Sequence, residues 1–176
     1  MANTYLQEYR QKLITAEQAA SLVNSNDRIL YAVFAGRPTD FDIALSQRKE
    51  ELFNVQITQC GGNNIGPDSS AFADPSRQHF TNNSWFFDGV DRQLHDQDMM
   101  YYHPCQFGQL QDIIGSDLFP YDIYVQKVSP MDHHGYFSFG LSNVNSLESC
   151  LGAKKVILEV NENMPRVPGG SEDAVH

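Results

Sequence analysis

Two glycine-containing loops that directly follow apolar runs are the segments of this sequence best suited to ligand binding. One loop is Gly36-Arg37-Pro38-Thr39, and the other begins at Cys60-Gly61-Gly62-Asn63-Asn64. Ligands of open α/β sheets bind in the crevice at the carboxyl ends of the strands, where such loops lie. Two interpretations of the first loop stay open: its amides and Arg37 face an anionic ligand, or Gly36 and Pro38 only turn the chain. The candidate binding residues are Gly36, Arg37, Pro38, Cys60, Gly61, Gly62 and Asn63.

Motifs for nucleotides, nucleophilic triads and metal ions are absent from the sequence. The second loop matches neither GxGxxG nor GxxxxGK[ST], and there is no GxSxG. Cys60, Cys105 and Cys150 are an odd number without a CxxC pair, which predicts reduced thiols. His133 and His134 are adjacent rather than three or four residues apart. We therefore predict no metal and no permanently bound cofactor, and we assign no catalytic residue.

Glu159 is the one carboxylate whose position in the sequence is unusual. It lies inside the apolar run Val156-Ile157-Leu158-Glu159-Val160, where a carboxylate needs a partner or a wet edge. The residue either has a structural role or points into a cleft.

The elements that position these loops follow from the hydrophobic pattern. Residues 4–23 are predicted as two helices, the second with a capping box at Thr15-Ala16-Glu17-Gln18. Strands are predicted over residues 28–35, 53–58, 79–87, 99–103, 121–128 and 155–160, and helices over residues 40–52, 90–95, 106–114 and 144–151. This alternation predicts an α/β fold with a mostly parallel open sheet and helices on both faces. Residues 164–176 are turn-rich and polar, as in a frayed tail or a linker.

Length and charge narrow the classes of function. The chain has 176 residues, enough for one domain with a real core, and 41% of them are hydrophobic. Its net charge of −10 is the wrong sign for a nucleic acid or an anionic membrane surface. No apolar run approaches the roughly 20 residues that cross a bilayer. With no secretory signal at its start, we expect a cytoplasmic protein without nucleic-acid or membrane partners.

Two long motifs resemble a known family. Residues 128–140 read VSPMDHHGYFSFG, and residues 156–166 read VILEVNENMPR. These are similar to the "VSPxDxHGYxSFG" and "VIxEVNxxMPR" segments of the acetyl-CoA hydrolase/transferase family, which includes 4-hydroxybutyrate, butyryl and acetate CoA-transferases. Residues 82–86 and 102–105 also resemble its "HNSxF" and "YxPC" segments. The chain is thus identified as a member of this family, from about Tyr9 onward.

The resemblance implies a CoA-transferase-like domain of the kind shared with glucosamine-6-phosphate and ribose-5-phosphate isomerases, spanning residues 1–176. In the family, a second domain supplies the glutamate nucleophile and the CoA-binding loop, and no residue here matches either. We therefore expect CoA to move between short-chain acyl-CoA (4-hydroxybutyryl-, butyryl- or acetyl-CoA) and a carboxylic acid through a glutamyl-CoA thioester formed outside this chain. The seven loop residues would then contribute to substrate binding.

The same resemblance sets the expected partners and the alternatives. Acyl-CoA, small carboxylic acids and the C-terminal half of the protein are the expected partners, with coenzyme A as substrate and a homo-oligomer when intact. The chain alone is expected to be inactive. The alternatives are a non-catalytic binding or assembly module with the same fold, and a sugar-phosphate isomerase, for which the sequence offers no convincing acid/base set.

Overall fold

The computed structural model describes residues 4–61, 65–114 and 116–176. Its helices and strands, in chain order, are α1 (Thr4–Lys12), α2 (Ala16–Ala20), β1 (Arg28–Tyr31), α3 (Asp40–Ser46), β2 (Val55–Gln59), α4 (Ser70–Ala73), β3 (Phe80–Ser84), α5 (Gly89–Asp96), β4 (Tyr101–Tyr102), α6 (Leu110–Ile113), β5 (Ile123–Val128), β6 (Phe137–Ser138), α7 (Ser146–Gly152), β7 (Lys155–Val160) and β8 (Ala174–Val175). Short 3₁₀ turns lie at Phe34–Gly36, Lys49–Glu51 and Phe107–Gln109.

Six of these strands form one parallel sheet in the order β4-β3-β2-β1-β5-β7. Strand order reverses between β1 and its neighbour β5, so the chain extends the sheet first in one direction and then in the other. The predicted α/β fold with a mostly parallel sheet is confirmed. All six carboxyl ends lie at one edge, which brings together the loops that follow β1, β2 and β3.

Each face of the sheet packs on its own apolar cluster. One cluster joins α2 and α3 to alternate residues of β1, β2 and β5, such as Ile29, Ile57 and Val125. The other contains Leu30 and Tyr124 from the opposite face, packed with α6 and α7. Successive strand side chains point to opposite faces, so near-continuous apolar strands are what two covered faces require.

Several predicted bounds differ from the structure, and each difference has a local cause. The strand expected over residues 28–35 ends at Tyr31, because Phe34 has a left-handed φ of 46° and starts a 3₁₀ turn. The helix expected over residues 40–52 ends at Ser46. In the described part of the chain β7 pairs only with β5, so this strand, expected to be buried, is a half-exposed edge.

The C-terminal segment is held at both ends, by Met164 and by residues 174–175, although residues 165–172 between them are exposed. Ala174–Val175 pairs antiparallel with Phe137–Ser138, a small sheet that the sequence did not predict. Met164 is buried, and its sulfur lies against Gly140, which has a left-handed φ of 64°. The described ranges contain no helix that is both long and apolar enough to cross a membrane.

Candidate functional site

The loops after β1, β2 and β3 are joined to one another by backbone hydrogen bonds. Phe34 N–H donates to the Cys60 carbonyl at 3.1 Å, and Gly61 N–H donates to the Phe86 carbonyl at 3.2 Å. Trp85 N–H donates to Gln59 O at 3.0 Å. These bonds fix three consecutive strand ends as one continuous surface at the carboxyl edge of the sheet.

Phe34, Gly61 and Phe86 form an apolar wall on this surface, which we call the aromatic wall. The rings of Phe34 and Phe86 meet edge to face with centroids 5.9 Å apart. Gly61 has a φ of 78°, and a Cβ placed there would lie 2.7 Å from the Phe34 ring. Phe86 is 53% exposed. Glycine is therefore required beneath Phe34, and the wall presents an exposed aromatic face to solvent or to a ligand.

Arg37 is directed into the protein and not toward an anionic ligand. Its side chain is 1% exposed, and its Nη2 lies 2.6 Å from Asp42 Oδ2 in a fully buried ion pair. Arg37 Nε donates to Gln59 Oε1 at 2.8 Å, and the guanidinium lies 5.3 Å from the Tyr31 ring centroid. Of the two interpretations of this loop, the structure therefore favours the one in which Gly36 and Pro38 turn the chain: the buried guanidinium needs a counter-charge, and Asp42 provides it.

The amides after Pro38 are already occupied by a carboxylate of the protein itself. Glu159 accepts hydrogen bonds from Thr39 N–H and Phe41 N–H, both at 3.0 Å. Lys127 Nζ lies 3.5 Å from Glu159 Oε1 and donates to Thr39 Oγ1 at 2.9 Å. Glu159 therefore acts as a structural anion at the start of α3, and the hypothesis that these amides face a ligand gives way to this contact.

The other predicted binding residues lie beneath the surface of the loops. Gly36 is buried, and a Cβ there would lie 3.0 Å from Ser142 Cβ. Pro38 is buried, and its carbonyl accepts from Arg37 Nη1 at 3.3 Å. Burial, helped by the nearby Asp91 carboxylate, raises the pKa of the Cys60 thiol to about 11, so the thiol is protonated at neutral pH. Gly62 and Asn63 fall outside the described residues.

The two motifs that resemble the family are joined to each other by an ion pair, and the Asp132 carboxylate in it is used for structural contacts. Asp132 Oδ1 accepts from His134 N–H and Tyr136 N–H at 2.9 and 2.8 Å, and Asp132 Oδ2 pairs with Arg166 Nη2 at 2.6 Å. His133 and His134 are exposed. Within residues 4–61, 65–114 and 116–176, no three His, Cys, Asp or Glu side chains are grouped so as to hold a metal ion.

A separate groove of about 820 Å³ runs along the edge strand β7, between that strand and α1. It is lined largely by apolar side chains, among them Tyr9, Leu13 and Val156. Its charged lining residues include Lys12 and Glu8, which are exposed and bonded to each other at 2.7 Å, and also Asp40, Glu159 and Glu162. This groove follows the side of the sheet and not the strand ends, so we place the candidate site at the aromatic wall.

The predicted binding residues lie on the loops that follow β1 and β2, and they do not include Phe34 or Phe86, which form the wall. The strand expected over residues 28–35 includes Phe34, and Phe86 lies within the family-like segment at residues 82–86. The left-handed φ of Phe34 depends on its contacts with Cys60 and Gly61, more than twenty residues away, so local pattern carries no signal for it. The available clue in the sequence is an aromatic residue shortly after β1 and another shortly after β3, the two strands that flank β2.

Comparison with known proteins identifies relatives along the whole chain. Residues 2–176 match the family model described as "Acetyl-CoA hydrolase/transferase N-terminal domain". A "Probable butyrate:acetyl-CoA coenzyme A-transferase" of Syntrophomonas wolfei is 39% identical over 100% of this chain and 39% of its own length. A "Butyryl-CoA:acetate CoA-transferase" of Anaerostipes caccae is 36% identical over 98% of this chain and 38% of its own length. The chain therefore spans about two fifths of these curated relatives.

A solved structure shares the fold at lower identity. RipA from Yersinia pestis superposes with a TM-score of 0.85 and 26% identity, covering 98% of this chain and 42% of RipA. The described architecture is therefore that of a known α/β domain within a longer polypeptide.

Proposed function

Since the chain belongs to the acetyl-CoA hydrolase/transferase family through its N-terminal domain, we propose that it forms one wall of the acyl-CoA cleft of a CoA-transferase. The match to that domain over residues 2–176 carries this proposal. The curated relatives quoted above are described as butyrate or butyryl-CoA transferases, which supports a short-chain acyl-CoA and a small carboxylic acid as substrates.

The proposed reaction exchanges CoA through a glutamate that lies in a part of the protein outside this chain. That carboxylate attacks the acyl thioester, the C–S bond breaks, and an anhydride and CoA thiolate form. The thiolate then attacks the glutamyl carbonyl, which releases the first carboxylic acid and leaves a glutamyl-CoA thioester. A second carboxylate repeats these steps in reverse order and leaves as the new acyl-CoA.

The role of this chain is to hold the acyl group and keep water away. Anhydride and thioester intermediates hydrolyse when water reaches them, so the cleft needs a closed second wall. The aromatic wall supplies apolar contact at the carboxyl edge of the sheet, and its rigid backbone bonds keep Phe34 and Phe86 in place. Gly36, Pro38 and Cys60 are buried residues of the same loops. Coenzyme A is a substrate here, and the C-terminal half is the structural partner.

Transfer assays on two forms of the protein test the proposal. Residues 1–176 alone and the full-length protein are each mixed with butyryl-CoA and acetate, and acetyl-CoA is measured by chromatography. We expect transfer only by the full-length protein. Robust transfer by residues 1–176 alone would refute the external nucleophile, and an inactive full-length protein would favour the non-catalytic assembly module.

A pair of matched aromatic substitutions tests where the cleft lies. Phe86 at the carboxyl end of β3 is 53% exposed, and Phe53 before the amino end of β2 is 58% exposed. In the full-length protein we expect Phe86→Ala to lower kcat/KM for butyryl-CoA by about tenfold, the size expected when an apolar acyl contact is lost. Phe53→Ala should leave it unchanged. Equal effects of the two substitutions would place the acyl group elsewhere.

A further inference from the structure

Arg37 belongs to a chain of buried polar contacts that links three elements: α3, the carboxyl end of β2 and α5. Its guanidinium bonds Asp42 on α3 and Gln59 at the end of β2. Gln59 Nε2 in turn donates to Asp91 Oδ1 on α5 at 3.1 Å. Arg37, Asp42, Gln59 and Asp91 are each 1% exposed or less, so these groups cannot exchange one another for water without opening the core.

Arg37 also closes the turn that contains Phe34, through its backbone N–H. Arg37 N–H donates to the Phe34 carbonyl at 3.1 Å, which ends the 3₁₀ turn over Phe34–Gly36. Phe34 itself holds a left-handed φ of 46°, a conformation that is unfavourable for a non-glycine residue because its Cβ crowds the backbone. Such a conformation persists only when surrounding contacts impose it.

We propose that Arg37 is a positioning residue for the aromatic wall. Its hydrogen bonds to Asp42 and Gln59 fix the turn that it closes, and this turn holds Phe34 in the strained conformation that packs against Gly61 and Phe86. This inference rests on the proposed function, because Phe34 must face the acyl group. Arg37 does not touch substrate; it acts through the position of Phe34. The fork of the guanidinium is essential, since one arm bonds the carboxylate and the other bonds the amide.

The two oxygens of Asp42 have different partners, so the contact of Arg37 can be tested separately from that of Tyr31. Asp42 Oδ1 accepts from Tyr31 OH at 2.9 Å and from Ser70 Oγ at 2.6 Å, whereas Arg37 bonds the other carboxylate oxygen, Oδ2. Removing the Tyr31 hydroxyl weakens the same buried network and leaves both guanidinium bonds in place. Tyr31→Phe is therefore a matched control for Arg37→Lys, which keeps the charge but loses the fork.

The test measures acyl selectivity in the full-length protein. For wild type, Arg37→Lys, Gln59→Met and Tyr31→Phe, kcat/KM is determined with acetyl-, butyryl- and hexanoyl-CoA, and thermal unfolding is recorded in parallel. We expect Arg37→Lys and Gln59→Met each to lower the butyryl-to-acetyl ratio by about tenfold, the scale at which sub-ångström misplacement acts. The double variant should show no further loss, because both substitutions break one link. Tyr31→Phe should lower the unfolding temperature and leave the ratio within about twofold of wild type.

Each outcome decides between distinct conclusions. An unchanged acyl ratio in Arg37→Lys and Gln59→Met, despite lower unfolding temperatures, would overturn the positioning role and leave the proposed function intact. A ratio that falls equally in Tyr31→Phe would show a general loss of stability and would also overturn it. A full-length wild type without transfer activity would overturn the proposed function and this inference together.

Discussion

At the scale of single residues, the site depends on a glycine that permits close packing and on a buried charge that is paired inside the protein. Gly61 is placed where any side chain would meet the Phe34 ring, and Arg37 is placed where its charge is satisfied internally. Asp91, at the far end of the same network, has its pKa raised, first by burial and then by its hydrogen bond with Asp88. At this edge, the glycine allows close packing of the aromatic rings, and the ionisable side chains form hydrogen bonds that join the loops.

A glycine substitution tests the steric requirement directly. Gly61→Ala introduces a Cβ at 2.7 Å from the Phe34 ring on a residue with φ 78°. We expect the free energy of unfolding to fall by about 1 to 3 kcal/mol, the cost of a strained backbone conformation. Urea denaturation of the chain measures this change.

Gly89→Ala is the matched control for that substitution. Gly89 begins α5, and a Cβ there meets no atom within 4 Å. We expect its unfolding free energy to stay within about 0.5 kcal/mol of wild type. Equal losses in the two variants would mean that the contact between Gly61 and Phe34 is not the cause.

At the scale of elements, the short helix α3 depends on a residue from the edge of the sheet. Helices of this length are marginal alone, and α3 has no side-chain cap from its own N-cap residue Thr39. Glu159 from β7 takes that role through two backbone amides, and Lys127 from β5 neutralises it. This contact links the loop that follows β1 to the opposite half of the sheet.

Replacing that carboxylate by its amide should therefore destabilise α3. Glu159→Gln keeps one acceptor but loses the negative charge at the helix start and the pairing with Lys127. We expect a loss of about 1 kcal/mol in unfolding free energy, measured by urea denaturation. The exposed neighbour Glu162→Gln should change it by less than about 0.5 kcal/mol. A loss as large in Glu162→Gln would point to net charge as the cause.

At the scale of the whole molecule, the C-terminal segment is tied back to the loop after β5. Asp132 bonds two backbone amides of its own turn and pairs with Arg166, and β6 pairs with β8 close by. Burial alone would raise the pKa of Asp132, but the amides of Tyr136 and His134 and the Arg166 charge lower it overall. The two motifs that carry the family resemblance thus form one structural lock.

The contacts of Asp132 should make the free energy of unfolding depend on pH in the acid range. Because the folded pKa of Asp132 is below its ordinary value of 3.8, its contribution is complete above that value and is lost as pH falls through the lower folded pKa. We expect the gap in unfolding free energy between wild type and Asp132→Asn to be largest near neutral pH and to shrink below about pH 4. Denaturation from about pH 7 to pH 2 measures it.

The ion pair itself contributes little of that gap, since Arg166 is 45% exposed and solvent screens it. Asp117→Asn, at an exposed position, serves as the control, and we expect its unfolding free energy at neutral pH to stay within about 0.5 kcal/mol of wild type. A gap for Asp132→Asn that grows as the pH falls would contradict the assignment.

Much of this protein could be predicted from its sequence, because local pattern reports local burial. Apolar runs and caps such as Thr15 predicted the order of the main elements and the parallel sheet, although not α4, β6 or β8, and the motifs at residues 128–140 and 156–166 indicated the family. The loops after β1 and β2 were also correctly placed at one edge. Element ends were less accurate, as at Tyr31, where a contact with a distant loop ends the strand.

Only the tertiary structure decided what the polar and aromatic side chains do. Arg37 meets Gln59 across 22 residues, and Glu159 meets Thr39 across 120 residues, so neither partner is encoded in the surrounding pattern. The sequence left open whether Arg37 and the amides of its loop face an anionic ligand, whereas folding pairs both internally, because burying an unpaired charge or amide costs more than bringing two distant groups together. The aromatic wall also depends on tertiary structure, because Phe34, Gly61 and Phe86 become neighbours only when three parallel strands end at one edge.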